Sequence, residues 1–488
     1  MKIKFRYRFG AALLALLLLV ALLASCNGGD NGGVLPSPVT SLPHPSEVTT
    51  PVTTTPVTTA PVTTAPVTTE ALPPTAITPP EINPPSDDEL YNMVTLVNLD
   101  KLSLIQEYYF YYYVGEFREV LECLPEIYDL LRTVDGVGEI TDPEVATKLF
   151  VNAYAITLGD YYGYYYSPED MENREDELAG EYVGIGVSVT VNAMGYAEIL
   201  TVFSSSPAED AGLLPGDLIV AVEGDDFAGI GYQAAIDRIR GVEGTTVTLT
   251  VLRDGQTMDV TMPRRRVVEE TVIYRMMEGG IGYIRITSFD DETYNQFVEA
   301  HCALETAGAT SYVFDVRNNP GGTLTSVLAI LEYILPDGVI VRLDYKIDAM
   351  DKSYSSIYEY YPEYMLTRPD PEGHEITAPM VVLANDMTAS AGELFTSALQ
   401  DYDAATVVGL TTYGKGIGQT QVKFRDGSGF IFTIFYYAPP ISPNFHGVGV
   451  VPDLHCTLPE EAENKNIYKL TYEEDTQLQA AVGLLTPQ

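Results

Sequence analysis

The chain has 488 residues, enough for two or three domains, and its 68 acidic against 27 basic side chains give a net charge of −41. That excess argues against nucleic acid as a partner and against a polybasic grip on anionic lipid, and fits a solvated acidic surface. Four cysteines without a C-x-x-C spacing suggest neither a metal site nor a redox motif, and nothing in the sequence calls for a cofactor.

Residues 1–25 read as a targeting segment: Lys2, Lys4, Arg6 and Arg8 precede an apolar run from Ala11 to Ala24. Leu23-Ala24-Ser25-Cys26 resembles a bacterial lipobox, which implies lipidation at Cys26, removal of the apolar run, and a membrane-anchored extracytoplasmic protein. An uncleaved membrane anchor is the alternative. With Cys26 assigned to lipid, Cys123, Cys302 and Cys456 are an odd set that cannot all pair, and they are expected to be buried small apolar residues.

Residues 26–86 form a Pro/Thr-rich tether in which Pro51-Val52-Thr53-Thr54 recurs at Pro56, Pro61 and Pro66. So polar a five-residue period cannot bury a core, and proline biases it to an extended form. Residues 87–179 are expected to be helical. Leu121, Leu124, Ile127, Leu130 and Leu131 recur at helical spacing, and Pro143 suits a first helical position. The tyrosines at 108, 109, 111, 112 and 113 are expected to pack between helices, with a binding face as the alternative.

Residues 180–265 change to short strands separated by glycine turns. The segment opens with Tyr182-Val183-Gly184-Ile185-Gly186-Val187 and continues through Ser206-Pro207-Ala208, Pro215-Gly216-Asp217 and Val247-Thr248-Leu249-Thr250-Val251. This ordered set resembles a PDZ domain. Physically, a loop such as Gly184, Ile185, Gly186 and Val187 can offer successive backbone N–H groups to a chain-terminal carboxylate, while a sheet edge accepts the peptide as a further strand.

Residues 266–488 alternate strands with helices, which argues an α/β core. Ile281–Ile286 and Tyr312–Val316 read as strands around a helix from Tyr294 to Ala307. Arg317-Asn318-Asn319-Pro320-Gly321-Gly322 follows, then an apolar helix near Val327–Leu331. Leu343–Pro379 is tyrosine-rich without a clear period. Met380–Ala384 has the branching and length of a buried strand, and Ala389-Ser390-Ala391-Gly392-Glu393 then leads into a helix. At such a junction a side chain is exposed beside the first unpaired helical N–H groups, where developing negative charge is stabilised. A strand at Ala405–Gly409 precedes Thr411-Thr412-Tyr413-Gly414-Lys415-Gly416-Ile417-Gly418-Gln419.

A serine at such a turn is most often a helix N-cap, and a lone lysine a solvated charge. Together, 25 residues apart, Ser390 and Lys415 resemble the dyad of the C-terminal processing peptidases, with Gln419 four positions on; Thr388 departs from that pattern, which has a serine there. The segment Gly159–Asp170 and the Asn-Pro-Gly-Gly turn are similar to family segments as well. The resemblance implies an α+β multidomain protein: a helical N-terminal region, a PDZ-like β-rich module and an α/β crotonase-like peptidase core. It implies a serine endopeptidase acting on polypeptides with accessible C-termini. Ser390 would be the nucleophile, Lys415 the base and Gln419 its orienter, with an oxyanion hole from Ala391 and Gly321 or Gly322.

A lysine base must be neutral, which near pH 7 asks for a pKa depressed by about three units from about 10.4, or about 4 kcal/mol. Burial supplies depression of that sign. On a regular strand Lys415 and Gln419 would lie about 13 Å apart, so an irregular backbone at Gly416 and Gly418 is expected. The rivals are a Ser/His/Asp triad, for which His446 is the histidine to test, and a non-catalytic surface lipoprotein that holds peptide termini.

Overall fold

The computed structural model describes residues 85–192, 194–348, 352–359, 375–463 and 465–486. The proposed lipidation residue Cys26 and residues 27–84 of the tether lie outside them. The described chain falls into two compact units, one comprising 85–103 with 119–157, the other 104–118 with the rest from Leu158.

The first unit is helical. Helix α1 (Asp87–Val94) opens on a capping box between Ser86 and Glu89, with three acidic residues in its first turn. Helix α2 (Leu99–Tyr112) begins in this unit, and α3 (Val120–Leu131) and α4 (Pro143–Thr157) complete it. Pro143 opens α4, where its fixed φ suits the first turn and its missing N–H costs nothing. The buried face of α3 carries Val120, Cys123, Leu124, Ile127 and Leu131.

The second unit starts with strand β1 (Tyr164–Tyr166) and α5 (Pro168–Leu178), then β2 (Glu181–Gly184). A β-rich module follows: β3 (Val187–Val191), β4 (Ala197–Val202), α6 (Pro207–Asp210), β5 (Leu218–Val222), β6 (Asp225–Asp226), α7 (Phe227–Ile230), α8 (Tyr232–Ile239), β7 (Thr246–Arg253) and β8 (Gln256–Pro263). Its sheet runs β3-β4-β5-β7-β8 with β6 on β5, so β3 is an edge strand. Ile199, Ile219, Val222, Phe227, Val247, Leu249 and Val251 form its core. Strand β9 (Arg265–Val268) pairs back with β2.

The remaining chain builds two sheets. The first contains β10 (Val272–Met277), β11 (Ile281–Ile286), β12 (Ser311–Asp315), β15 (Met380–Ala384), β16 (Ala405–Gly409) and β19 (Leu454–His455), in the spatial order 10-11-12-15-16-19. Only β10 is antiparallel to its neighbour. Helices α9 (Thr293–Thr306), α10 (Leu324–Ile334) and α11 (Ala391–Asp401) cover one face. Past the short α12 (Glu460–Glu463), α13 (Thr476–Leu485) covers the other. Strand β15 shows why its sequence is an unbroken apolar run: Met380, Val382 and Ala384 enter the first face's core, Val381 and Leu383 the second.

The second sheet, β1-β18-β13-β14 with β17 on β18, is antiparallel and uses β13 (Val339–Asp348), β14 (Lys352–Glu359), β17 (Ile417–Lys423) and β18 (Gly429–Ala438). The segment without a clear sequence period thus supplies two paired strands, and its residues 360–374 lie outside the described ones. The tyrosines at 109 and 113 correct the expectation of helix–helix packing. The Tyr109 ring packs on Phe430 and Phe432 of β18, its hydroxyl donates to Asp160, and that of Tyr113 donates to the carbonyl of Leu158. A second correction concerns the cysteines: Cys123 is buried, but Cys456 is partly exposed and Cys302 exposed, on the helical position just past buried His301.

Candidate active site

Strands β12 and β15 are parallel neighbours, so the loops leaving their C-terminal ends lie side by side. The two loops are tied together. Asn385 accepts from the N–H of Asn318 at 2.9 Å and donates to its side-chain oxygen at 2.6 Å; Thr388 Oγ1 donates to the Val316 carbonyl at 2.8 Å; the Ala389 N–H donates to the Asn319 carbonyl at 2.8 Å. Beneath them Arg317, 1% exposed, reaches Asp315 at 2.6 Å and Asp475, the N-cap of α13, at 2.8 Å. Burial alone would raise the Asp315 carboxyl, but the charges of Arg317 and Arg285 outweigh it and hold that carboxyl well below the usual range.

Ser390 stands at the turn from this loop into α11 with φ 54° and ψ −118°, a left-handed strain a non-glycine residue seldom accepts. It is the N-cap by position but not by chemistry. The Glu393 N–H bonds the Ser390 carbonyl at 2.9 Å, and the carboxylate of Glu393 takes the Ser390 N–H at 2.9 Å, which leaves the hydroxyl outside the cap.

Glu393 is fully buried and accepts four bonds. One oxygen, Oε2, takes the N–H of Ser390 and, at 2.7 Å, that of Lys415; Oε1 takes the Gly414 N–H at 2.6 Å and the Thr412 hydroxyl at 2.5 Å. Burial pushes its carboxyl upward and the four donors oppose that shift. Two backbone nitrogens that share one acceptor oxygen are necessarily close neighbours, so this carboxylate brings the serine elbow and the lysine loop together.

Ser390, Ala391, Gly321, Gly322, Lys415 and Gln419 line one cavity of about 590 Å³. The Lys415 Nζ lies 4.5 Å from the centre of the Tyr162 ring and makes no hydrogen bond with Ser390 Oγ. Desolvation lowers its pKa first and the nearby Arg174 charge lowers it further, against the raising influence of Glu393 and Asp160. The Tyr437 hydroxyl sits 3.4 Å from Ser390 Oγ and donates to the Lys415 carbonyl at 2.8 Å.

The expected irregularity in the glycine-rich segment is present. Gly416 precedes β17, and the β17–β18 register shifts between Gly418 and Gln419. Gln419 does not bond Lys415. Its amide donates to Thr433 Oγ1 at 3.3 Å, and that hydroxyl donates to buried Asp160 at 2.7 Å.

The oxyanion candidates separate. The Gly321 N–H is spent on Asn319 Oδ1 at 2.8 Å, so Gly321 is corrected as a donor. The N–H groups of Gly322 and Ala391 have no acceptor among the described residues. Gly321 serves by its size instead: with φ 108° and a Cβ that would fall 2.7 Å from the Ser390 Cβ, only glycine fits there. Gly322, with φ 144°, is held against Phe289, whose carbonyl oxygen would lie 2.0 Å from an added Cβ.

His446 bonds no carboxylate through its ring among the described residues; burial and Lys415 both lower its pKa. In the β-rich module, Gly184 ends β2, Val187 begins the edge strand β3, and Ile185 and Gly186 join them. The carbonyls of Ile185 and Gly186 are fixed by the N–H groups of Ala208 at 2.8 Å and Phe203 at 3.0 Å, while their own N–H groups have no acceptor among the described residues.

Sequence reasoning passed over Glu393, Asn319, Thr433 and Asp160. For Glu393 a signal existed, since an acid three residues after a serine at a helix start is the capping-box spacing. Asp160 and Thr433 are 273 residues apart and offered none.

Residues 280–456 match the model of peptidase family S41, and residues 199–253 that of the PDZ domain. The chain is 33% identical over 328 residues to a carboxyl-terminal-processing protease of Synechocystis, covering 65% of this chain and 72% of that one. It is 32% identical over 336 residues to the protein of the same name from Picosynechococcus, covering 67% and 76%. A Bacteroides fragilis structure assigned to the S41 proteases shares the fold, with a TM-score of 0.51 at 18% identity over 78% of this chain and 96% of that one. The chain therefore belongs to peptidase family S41 and is a carboxyl-terminal-processing serine protease with a PDZ domain.

Proposed function

We propose that the protease works through a Ser390–Lys415 dyad, captures polypeptide C-termini on its PDZ domain, and is held outside the cytoplasm by lipid on Cys26. The observation that carries the dyad is the shared cavity: a strained serine whose hydroxyl is outside its helix cap, a desolvated lysine, and the free N–H groups of Gly322 and Ala391.

Neutral Lys415 takes the hydroxyl proton as Ser390 Oγ attacks the scissile carbonyl carbon. The resulting oxyanion is met by the N–H groups of Gly322 and Ala391 in place of water. The lysine then returns the proton to the leaving amine, and water drawn in by the lysine frees the acyl group from Oγ. Nζ must first leave Tyr162 for Ser390. Gln419, fixed by Thr433, orients the amine without adding charge. On the PDZ domain the free N–H groups of Ile185 and Gly186, in the stretch Gly184–Val187, suit a terminal carboxylate, and the open edge of β3 suits the peptide backbone.

The test is cleavage of unstructured polypeptides with varied C-termini, assayed with an added C-terminal peptide so that a gated enzyme is not scored as inert. Ser390→Ala and Lys415→Ala should abolish cleavage, and His446→Ala should leave it largely intact. Binding without turnover by the pure wild-type protein would instead favour the peptide-holding lipoprotein. Cys26→Ser should move the protein from the membrane fraction to the soluble one.

A further inference from the structure

The catalytic cavity contains a second cation that the dyad does not use. Arg174 projects from α5 into the lining that holds Ser390 and Lys415, and among the described residues around that cavity only Arg174 and Lys415 are basic. Its Nε is buried without a hydrogen-bond partner, and its guanidinium makes no salt bridge with any described residue; its Cζ lies over the Tyr166 ring, 5.6 Å from the ring centre. Four carboxylates, Glu177, Glu269, Glu270 and Asp290, line the same cavity, yet none pairs with it. In a chain of net charge −41 this half-buried arginine beside a lysine has no carboxylate partner among the described residues.

The complement of a planar guanidinium with free donors is a carboxylate, which it can hold through two parallel hydrogen bonds. Substrates of a carboxyl-terminal-processing protease bring one by definition. We propose that Arg174 is a specificity residue of the catalytic cavity that binds a substrate carboxylate. Two sources share that chemistry: the terminal carboxylate of a short tail, and an acidic side chain beside the scissile bond. The inference rests on the hydrolase reading above for its position in the reaction, but the contact itself is one of binding.

Two peptide series separate the sources. In the first, tails of increasing length after one scissile bond end in a free carboxylate or an amide. In the second, all peptides are amidated and carry Asp or Asn at each position flanking that bond. The quantity read is the kcat/KM ratio of charged to neutral partner in the wild type, divided by the same ratio in Arg174→Gln; capture of termini by the PDZ domain cancels in that quotient. A charge-assisted pair predicts a quotient of about 10 to 100 for one tail length or one flanking position, with Arg174→Lys keeping part of it. A quotient near one throughout both series overturns the proposal.

The same quotient measured as binding, by fluorescence titration of Ser390→Ala with and without Arg174→Gln, distinguishes two failures. A quotient above ten there, with no cleavage by the wild type, removes the hydrolase reading and keeps this inference. Cleavage with a quotient near one does the reverse.

Discussion

Glu393→Gln is the most informative single change because it replaces an acceptor while keeping the volume. The carboxylate meets four donors, two on each oxygen. An amide supplies one acceptor oxygen and one NH₂ group. With the NH₂ on the Oε1 side, the Thr412 hydroxyl turns to accept from it, and the Gly414 N–H is left facing a donor. With the NH₂ on the Oε2 side, the N–H groups of both Ser390 and Lys415 are orphaned. The first arrangement is the cheaper, at about 1–3 kcal/mol for one buried unsatisfied N–H. For a domain of this size that is a fall in Tm of roughly 2–12 °C. The larger effect falls on the chemistry, because Gly414 is the residue before the proposed base, and a displacement of about 1 Å at a reacting group costs on the order of 100-fold in rate. Thermal unfolding followed by circular dichroism, with kcat and KM on one peptide, reads both: a modest loss of stability, kcat down by about 100-fold, KM little changed. A variant with wild-type Tm and kcat within about threefold of wild type would refute the clamp. Glu393→Ala is the poorer test. It strips all four donors at once, a loss comparable to the whole stability of a domain, about 5–15 kcal/mol.

Four further outcomes follow from the same geometry. With Lys415 as the proposed neutral base, kcat/KM should rise with pH along a limb below the ordinary lysine value of about 10.4. Arg174→Gln removes a repelling charge and should move that limb to higher pH, whereas Asp160→Asn removes an attracting one and should move it to lower pH; two limbs displaced the same way would sink the assignment. Gly322→Ala puts a methyl group 2.0 Å from the Phe289 carbonyl oxygen, so the loop must shift, and kcat should drop by about 100- to 1000-fold as the proposed oxyanion donor is displaced. Arg317→Met strands the carboxylates of Asp315 and Asp475 in the interior and should cost about 3–5 kcal/mol in urea unfolding, with a wild-type midpoint counting against it. Since Asp315 is held below its unfolded value, the stability from that pair is present above about pH 3.9 and is lost as the pH falls further, so the mutant and wild-type unfolding curves should converge in acid.

The parallel sheet was legible because its strands are buried on both faces. Ile281–Ile286, Met380–Ala384 and Ala405–Gly409 are mostly apolar runs whose ends coincide with β11, β15 and β16. The antiparallel sheet was less so. β18 coincides with a compact aromatic and β-branched run, Phe430–Tyr437, but β13 and β14 arise from a segment that mixes Tyr, Ser, Asp and Lys with no clean alternation. The site divides along the same line. Ser390 and Lys415 sit in compact local segments, whereas Asp160, Thr433 and Gln419 form their chain only when three distant stretches are brought together. The choice between Gly321 and Gly322 depended on the Asn319 side chain, which a sequence names but does not orient.

The two halves of the proposed dyad come from different sheets: Ser390 from the end of a parallel strand, Lys415 from the approach to an antiparallel one. Two separately built sheets have no inherent reason to hold a hydroxyl and an amine in register, and 25 intervening residues leave ample slack. Glu393 removes it, because one of its oxygens binds the backbone nitrogens of both residues. With both backbones anchored to a single atom, the step from the amine resting on Tyr162 to the amine reaching Ser390 requires only the torsions of the lysine side chain. Rotamer changes are fast compared with loop rearrangement. The swing of the amine is therefore not expected to limit turnover, and pre-steady-state cleavage should show a burst of acyl-enzyme where a step after acylation, hydrolysis of the acyl group or release of product, is the slow one.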